Sequence, residues 1–145
     1  MSNVLSRLRK EPDARFLADA HELERYTREQ VKHEDVIPKR DRLGIGADLT
    51  RSTRYINECV RKANGIYIRR DKPEDIERLR ERISLQENAL LELQNLLELI
   101  RLVDDAHGRK IKDPSVEQWT IKAMALWTSL KAWRDSEKKL LRQWL

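Results

Sequence analysis

Between Lys39 and Lys72 the sequence carries ten lysine or arginine residues against four acids. Cations at that density neutralise phosphate, and they do so without reading bases. The chemistry they could do is therefore electrostatic binding of RNA or DNA. Nine of the ten are candidates for that surface: Lys39, Arg40, Arg42, Arg51, Arg54, Arg61, Lys62, Arg69 and Arg70. A second basic group follows near the C-terminus: Lys122, Lys131, Arg134, Lys138, Lys139 and Arg142. Lys39, Arg40 and Arg42 cluster on a predicted loop at a helix start and are expected to contribute most to phosphate binding.

Bond-making chemistry has poorer candidates. His21, His33 and His107 lie on different segments without metal-ligand spacing, which predicts solvated or interface histidines. Cys59 is the single cysteine, which excludes an intramolecular disulfide and a multi-cysteine zinc site. No histidine is near it in sequence to act as a base, so a small core residue is expected. Gly44-x-Gly46 lacks the later glycine and the preceding strand of a phosphate loop. A di-metal bundle needs Glu-x-x-His pairs, and none is present; Glu29 stands four residues before His33. The sequence thus predicts no enzyme, no metal, no cofactor and no small-molecule substrate.

Four rows of residues at alternating spacings of three and four must position these groups. They are Phe16, Ala20, Leu23, Thr27; then Leu49, Thr53, Ile56, Val60, Ala63, Tyr67; then Ile76, Leu79, Ile83, Gln86, Leu90, Leu93, Leu97, Ile100; and finally Trp119, Ala123, Leu126, Leu130, Trp133, Glu137, Leu140, Trp144. That period belongs to helices packed along their length. With only four glycines and four prolines in 145 residues, turns are few and elements long. The expected fold is all-α, an antiparallel four-helix bundle in one domain spanning 1–145. Its helices are expected at about 13–32, 43–69, 74–105 and 115–143, after a flexible or short extension over 1–12. Pro38 turns the chain between the first two helices, with Val36 and Ile37 pinning the loop and Gly44 or Gly46 allowing close packing. Pro73 starts the third helix, and Glu74, Asp75 and Glu77 complement its dipole. Gly108 is the expected stop of that helix, and Asp113 or Ser115 the cap of the fourth, with Pro114 in its first turn. No run of 18 apolar residues occurs and Met1 to Lys10 holds no signal-peptide core, which predicts a soluble, cytoplasmic protein with no membrane partner.

Charge divides by segment. Residues 1–38 hold seven cations against eight acids, 73–107 four against nine, and 108–145 nine against four. Helices two and four are thus basic and helix three acidic. Two readings stay open: ion pairs between neighbouring helices, or a basic surface formed by the outer faces of helices two and four. Leu85, Leu91, Leu96, Leu99, Leu102 and Val103 on helix three lie off its main row. So do Val116, Ile121, Met124, Trp127 and Leu141 on helix four. This is more apolar surface than one bundle needs, and it predicts self-association. Trp144 is the best candidate for stacking on an unpaired base.

The segment Ile37-Pro-Lys-Arg-Asp-Arg-Leu-Gly-Ile-Gly46 is followed by a long helix, a charged turn and a helix with Leu90-Leu91-x-Leu-x-x-Leu-Leu. It resembles the accessory variability determinant family of diversity-generating retroelements, relatives of the four-helix-bundle proteins encoded in ribosomal RNA intervening sequences. Pro38-Lys39-Arg40 and Gly44 or Gly46 match the family pattern, and Trp133 matches a late tryptophan. Asp41 and Leu43 stand where the family favours aromatics. The resemblance covers about two-thirds of the chain, from Val36 to Trp133. It implies a homopentameric barrel of bundles that binds the retroelement's reverse transcriptase and its RNA or DNA, supporting mutagenic cDNA synthesis without catalysis by this chain. The other reading is a helical adaptor or assembly protein that binds only protein. On the first reading, replacing Lys39, Arg40 and Arg42 together by Ala weakens nucleic-acid binding several-fold in a filter-binding titration; an unchanged affinity rejects their assignment.

Overall fold

The structure, a computed structural model, describes residues 15–106 and 114–145. The expectations placed on residues 1–12, His107, Gly108 and Asp113 lie outside the described residues. Four long helices carry the fold: α1 (Arg15–Lys32), α2 (Ala47–Gly65), α3 (Ile76–Ala106) and α4 (Pro114–Trp144). Among the described residues there is no strand. The periodic rows are the core. Phe16, Ala20, Leu23 and Thr27 are buried on α1, and Leu49, Thr53, Ile56, Val60 and Ala63 on α2. On α3 and α4 the same holds for Leu79, Ile83, Leu90, Leu93, Trp119, Ala123, Leu126, Leu130 and Trp133. Cys59 is buried among them, as its isolation in sequence predicts.

Neighbours are read from the bonds between helices. Glu24 on α1 accepts from Asn57 on α2 at 2.7 Å. Glu92 on α3 accepts from Ser52 on α2 at 2.9 Å, while Arg82 reaches Ile66 just past α2. Lys138 on α4 pairs with Glu87 on α3 at 3.5 Å. Along the α1–α4 seam Asp19 meets Ser129, Glu22 meets Lys122, and Thr27 meets the Trp119 indole. Along the α2–α3 and α1–α4 seams one helix's numbers rise as the other's fall, and the close approach of Gly46 to Val31 beside the Asn57–Glu24 bond shows the same for α1 and α2; these three antiparallel pairs require α3 and α4 to be antiparallel as well. The order round the bundle is α1, α2, α3, α4 and back to α1. Consequently α2 and α4 stand diagonally. The expectation that their outer faces make one basic surface is corrected: in a four-cornered bundle, diagonal helices face opposite sides.

Helix two is also shorter than the expected 43–69. Residues 42–46 form one wide turn ahead of it, and the chain becomes extended at Ile66 (φ −84°, ψ 112°) directly after Gly65. Arg69, Arg70 and the exposed Tyr67 therefore belong to the connection with α3. Asp75 does more than complement the α3 dipole. It is buried and accepts hydrogen bonds from the Arg69 backbone N–H (3.0 Å) and from both sides of its guanidinium (2.9 and 2.8 Å).

One polar knot ties several elements together. Glu137 on α4 has no exposed surface and forms an ion pair with Arg82 of α3; Arg70, from the α2–α3 connection, approaches it at 3.7 Å. Arg82 also lies 5.0 Å from the centre of the Trp133 ring, whose other partner is Phe16 of α1, stacked at 3.8 Å. Gln86 is fully buried in the α3 row, and neither end of its amide has a hydrogen-bond partner among the described residues. Two core substitutions should therefore differ in sign. Glu137→Ala strands buried cationic charge and is expected to cost about 3–5 kcal/mol. Gln86→Leu removes an unpaired polar group and is expected to be neutral or stabilising. Urea denaturation of both variants checks the ordering, and a Gln86→Leu loss as large as that of Glu137→Ala would refute it.

Candidate nucleic-acid interface

The turn between α1 and α2 is built from its own residues. Val36 and Ile37 are buried, and their N–H groups both donate to the His33 carbonyl, at 3.0 and 2.9 Å. Pro38 then directs the chain outward, and its carbonyl accepts from Asp41 N–H at 2.8 Å. A Cβ at Gly46 would stand 3.2 Å from Val31 Cγ1, so the glycine admits α1 at close range, whereas a Cβ at Gly44 would meet nothing within 4 Å. Arg42 donates to the carbonyl of Lys32 at 2.8 Å and so caps the last turn of α1. Of the three cations singled out on this loop, Arg42 is thus a structural clasp, while Lys39 and Arg40 project outward. Leu43 beside them is 94% exposed.

Arg54 and Arg61 lie along the seam that this turn opens into. A hollow of about 480 Å³ between α1 and α2 brings Arg61 together with His21, Arg25 and Arg28. A second, of about 360 Å³ nearer the turn, is lined by Arg42, Arg51 and Arg54. Among the described residues Lys39, Arg54 and Arg61 form no ion pair, leaving their full charge for a ligand. Arg25 pairs with Glu22 and Glu29, Arg28 with Glu24, Arg51 with Asp48 and Lys62 with Glu58. Exposed pairs of this kind contribute little and exchange readily for a phosphate. The Arg25 hydrogen bonds hold the Glu22 carboxyl down at about 2, so Glu22 stays ionised at neutral pH.

The remaining sequence candidates divide. Arg69 is fixed on Asp75 and Arg70 is directed at Glu137, so both serve the fold. Lys131, Arg134 and Lys138 sit on α4, across the bundle from α2; Arg134 pairs with Asp135 and Lys138 with Glu87. Trp119 and Trp133 are buried, and Trp127 and Trp144 are only partly exposed. Sequence reasoning missed Arg25 and Arg28 because the acids around them cancel their charge in any segment count. Their spacing with Lys32, three and then four residues, was the available signal of one cationic helix face. Among the described residues no three His, Cys, Asp or Glu side chains gather to hold a metal ion. Burial pushes the Cys59 thiol up, away from the reactive thiolate. No described helix is long and apolar enough to cross a membrane.

The described chain is therefore an all-helical, four-helix protein with a cationic seam between α1 and α2. Comparison with protein-family models, with curated proteins and with solved structures finds no match.

The Arg69–Asp75 clasp gives a pH test. Hydrogen bonds from Arg69 hold the Asp75 carboxyl well below its ordinary range. A depressed carboxylate stabilises the fold fully above its unfolded pKa, about 3.9, and that contribution is lost as pH falls through the folded value. Carboxyl NMR should find Asp75 ionised at pH 3, and Arg69→Ala should return its titration toward about 3.9; an ordinary titration in the parent protein would exclude the clasp.

Proposed function

We propose that this chain is a non-catalytic accessory protein of a diversity-generating retroelement. On this reading it binds RNA or DNA along the α1–α2 seam, binds the reverse transcriptase, and works as a homopentamer to support mutagenic cDNA synthesis. The observation that carries the nucleic-acid part is the convergence of Arg28, Arg54 and Arg61 with the Lys39–Arg40 turn on one side of the bundle, three of them free of ion pairs. The retroelement part rests on the resemblance of Ile37 to Gly46 and of the leucine pattern in α3. Arg42, Gly46, Val36 and Ile37 supply a physical reason for that motif: they lock the turn on which Lys39 and Arg40 are exposed.

A second reading, an adaptor that binds only protein, is favoured by the exposed Leu91, Leu102, Ile121 and Met124. Salt dependence separates the two. Phosphate neutralisation makes the logarithm of affinity fall with the logarithm of salt, by about 0.9 per phosphate on a duplex and about 0.7 on a single strand. Fluorescence anisotropy of a labelled structured RNA and of a DNA duplex, over a salt series, provides the test. Lys39→Ala/Arg54→Ala/Arg61→Ala is expected to weaken binding at least tenfold and flatten the slope, while Lys131→Ala/Lys138→Ala on the other side changes it less than twofold. Salt-insensitive or absent binding by the parent protein leaves the adaptor.

A further inference from the structure

Glu92 of α3 is a partly buried carboxylate held by neutral groups alone. Its Oε2 accepts from Ser52 Oγ of α2 at 2.9 Å and from Asn95 Nδ2 at 2.7 Å, and among the described residues it forms no ion pair. Acids nearby on the helix seams are neutralised: Glu24 by Arg28, Glu58 by Lys62 and Glu87 by Lys138. Arg51 shares a hollow with Glu92 but turns to Asp48, at 3.1 Å. Both donors sit on one oxygen, so Glu92 Oε1 keeps its lone pairs and the carboxylate its charge. The hollow, of about 390 Å³, lies between α2 and α3. Tyr55 forms its second wall; the residue is 41% exposed, and the bond from its hydroxyl to Cys59, one turn on, holds the ring along the helix. Leu99 adds an apolar surface. Asn95, whose amide nitrogen is taken by Glu92, is left with its carbonyl oxygen as an acceptor.

We infer that this hollow receives an arginine side chain of a protein partner. The guanidinium lies on the Tyr55 ring, donates to Glu92 Oε1 and to the Asn95 carbonyl, and rests its aliphatic stem on Leu99. Glu92 and Asn95 are three residues apart and so neighbours on one face of α3. Two acceptors side by side below an aromatic face suit a planar fork of donors better than the point charge of an ammonium group. The same carboxylate repels phosphate, which sets this hollow apart from the cationic seam between α1 and α2. The inference rests on what both readings above share, that the chain binds a protein, and is independent of the nucleic-acid part.

The experiment titrates the full chain with N-acetyl-arginine methylamide and, separately, with the lysine analogue, following the Tyr55 ring and the Glu92 carboxyl by NMR. Saturable shifts of both groups are expected with the arginine compound, and binding about threefold weaker with the lysine compound. Glu92→Gln keeps an acceptor for Ser52 and is expected to weaken binding about tenfold. Tyr55→Ala is expected to weaken it about threefold, while Tyr55→Phe keeps the ring and the parent affinity. Circular dichroism checks that the variants are helical. No saturable shift in the parent protein overturns the inference and leaves the nucleic-acid reading intact. A parent protein that takes the arginine compound but is indifferent to RNA and DNA overturns that reading and supports this one. Equal binding of the lysine compound, or undiminished binding by Glu92→Gln, overturns the guanidinium assignment. A loss in Tyr55→Phe as large as that in Tyr55→Ala overturns the role of the ring.

Discussion

A carboxylate with no exposed surface has to be met by cations, and Glu137 decides much of this architecture. Its counter-charges come from α3, through Arg82, and from the α2–α3 connection, through Arg70. Arg82 in turn bonds the Ile66 carbonyl and covers Trp133, against which α1 stacks Phe16. A pair of this kind gains little over an apolar pair of equal size, but losing one partner is expensive. It therefore acts on register: sliding α4 by one turn against α3 would strand both charges in the interior. The Arg69–Asp75 clasp sits in the same connection, so a stretch of chain without regular structure is fixed at two points.

The rest of the bundle follows from packing. Hydrophobic rows of period 3.6 give four helices whatever their order, and short connections make successive helices antiparallel. Polar bonds then line each seam in turn, from Glu24–Asn57 through Ser52–Glu92 and Glu87–Lys138 to Thr27–Trp119. Most of this was legible in the residues. Every member of the first row and all but Tyr67 of the second are buried. The limits of α2 were not, because periodicity cannot distinguish a helix from a wide turn that keeps the same residues inward, as Arg42 to Gly46 does.

The candidate site was half legible. Charge density located Arg54, Arg61 and the Lys39–Arg40 turn, but density is a property of segments and a surface is a property of neighbours. Arg25 and Arg28 disappear in a count that includes Glu22, Glu24 and Glu29, although they border the hollow that holds Arg61. Lys131 and Lys138 stand out in a count and are across the bundle. Arg69 and Arg70 have the composition of a binding site and the geometry of braces. The bundle that results is two-sided, with unpaired cations on the α1–α2 side and open apolar stripes on α3 and α4.

All four tryptophans fall on α4, and two of them read opposite ends of one seam. The Trp119 indole donates to Thr27 at 2.8 Å with the Tyr26 ring edge-on at 6.4 Å, while Trp133 is pressed between Phe16 and a guanidinium. One chromophore thus has a polar partner at its nitrogen and the other a ring and a cation over its faces, so their emission differs in colour and in quenching. Separation of α1 from α4 at either end would register in the light the protein emits, with no label attached.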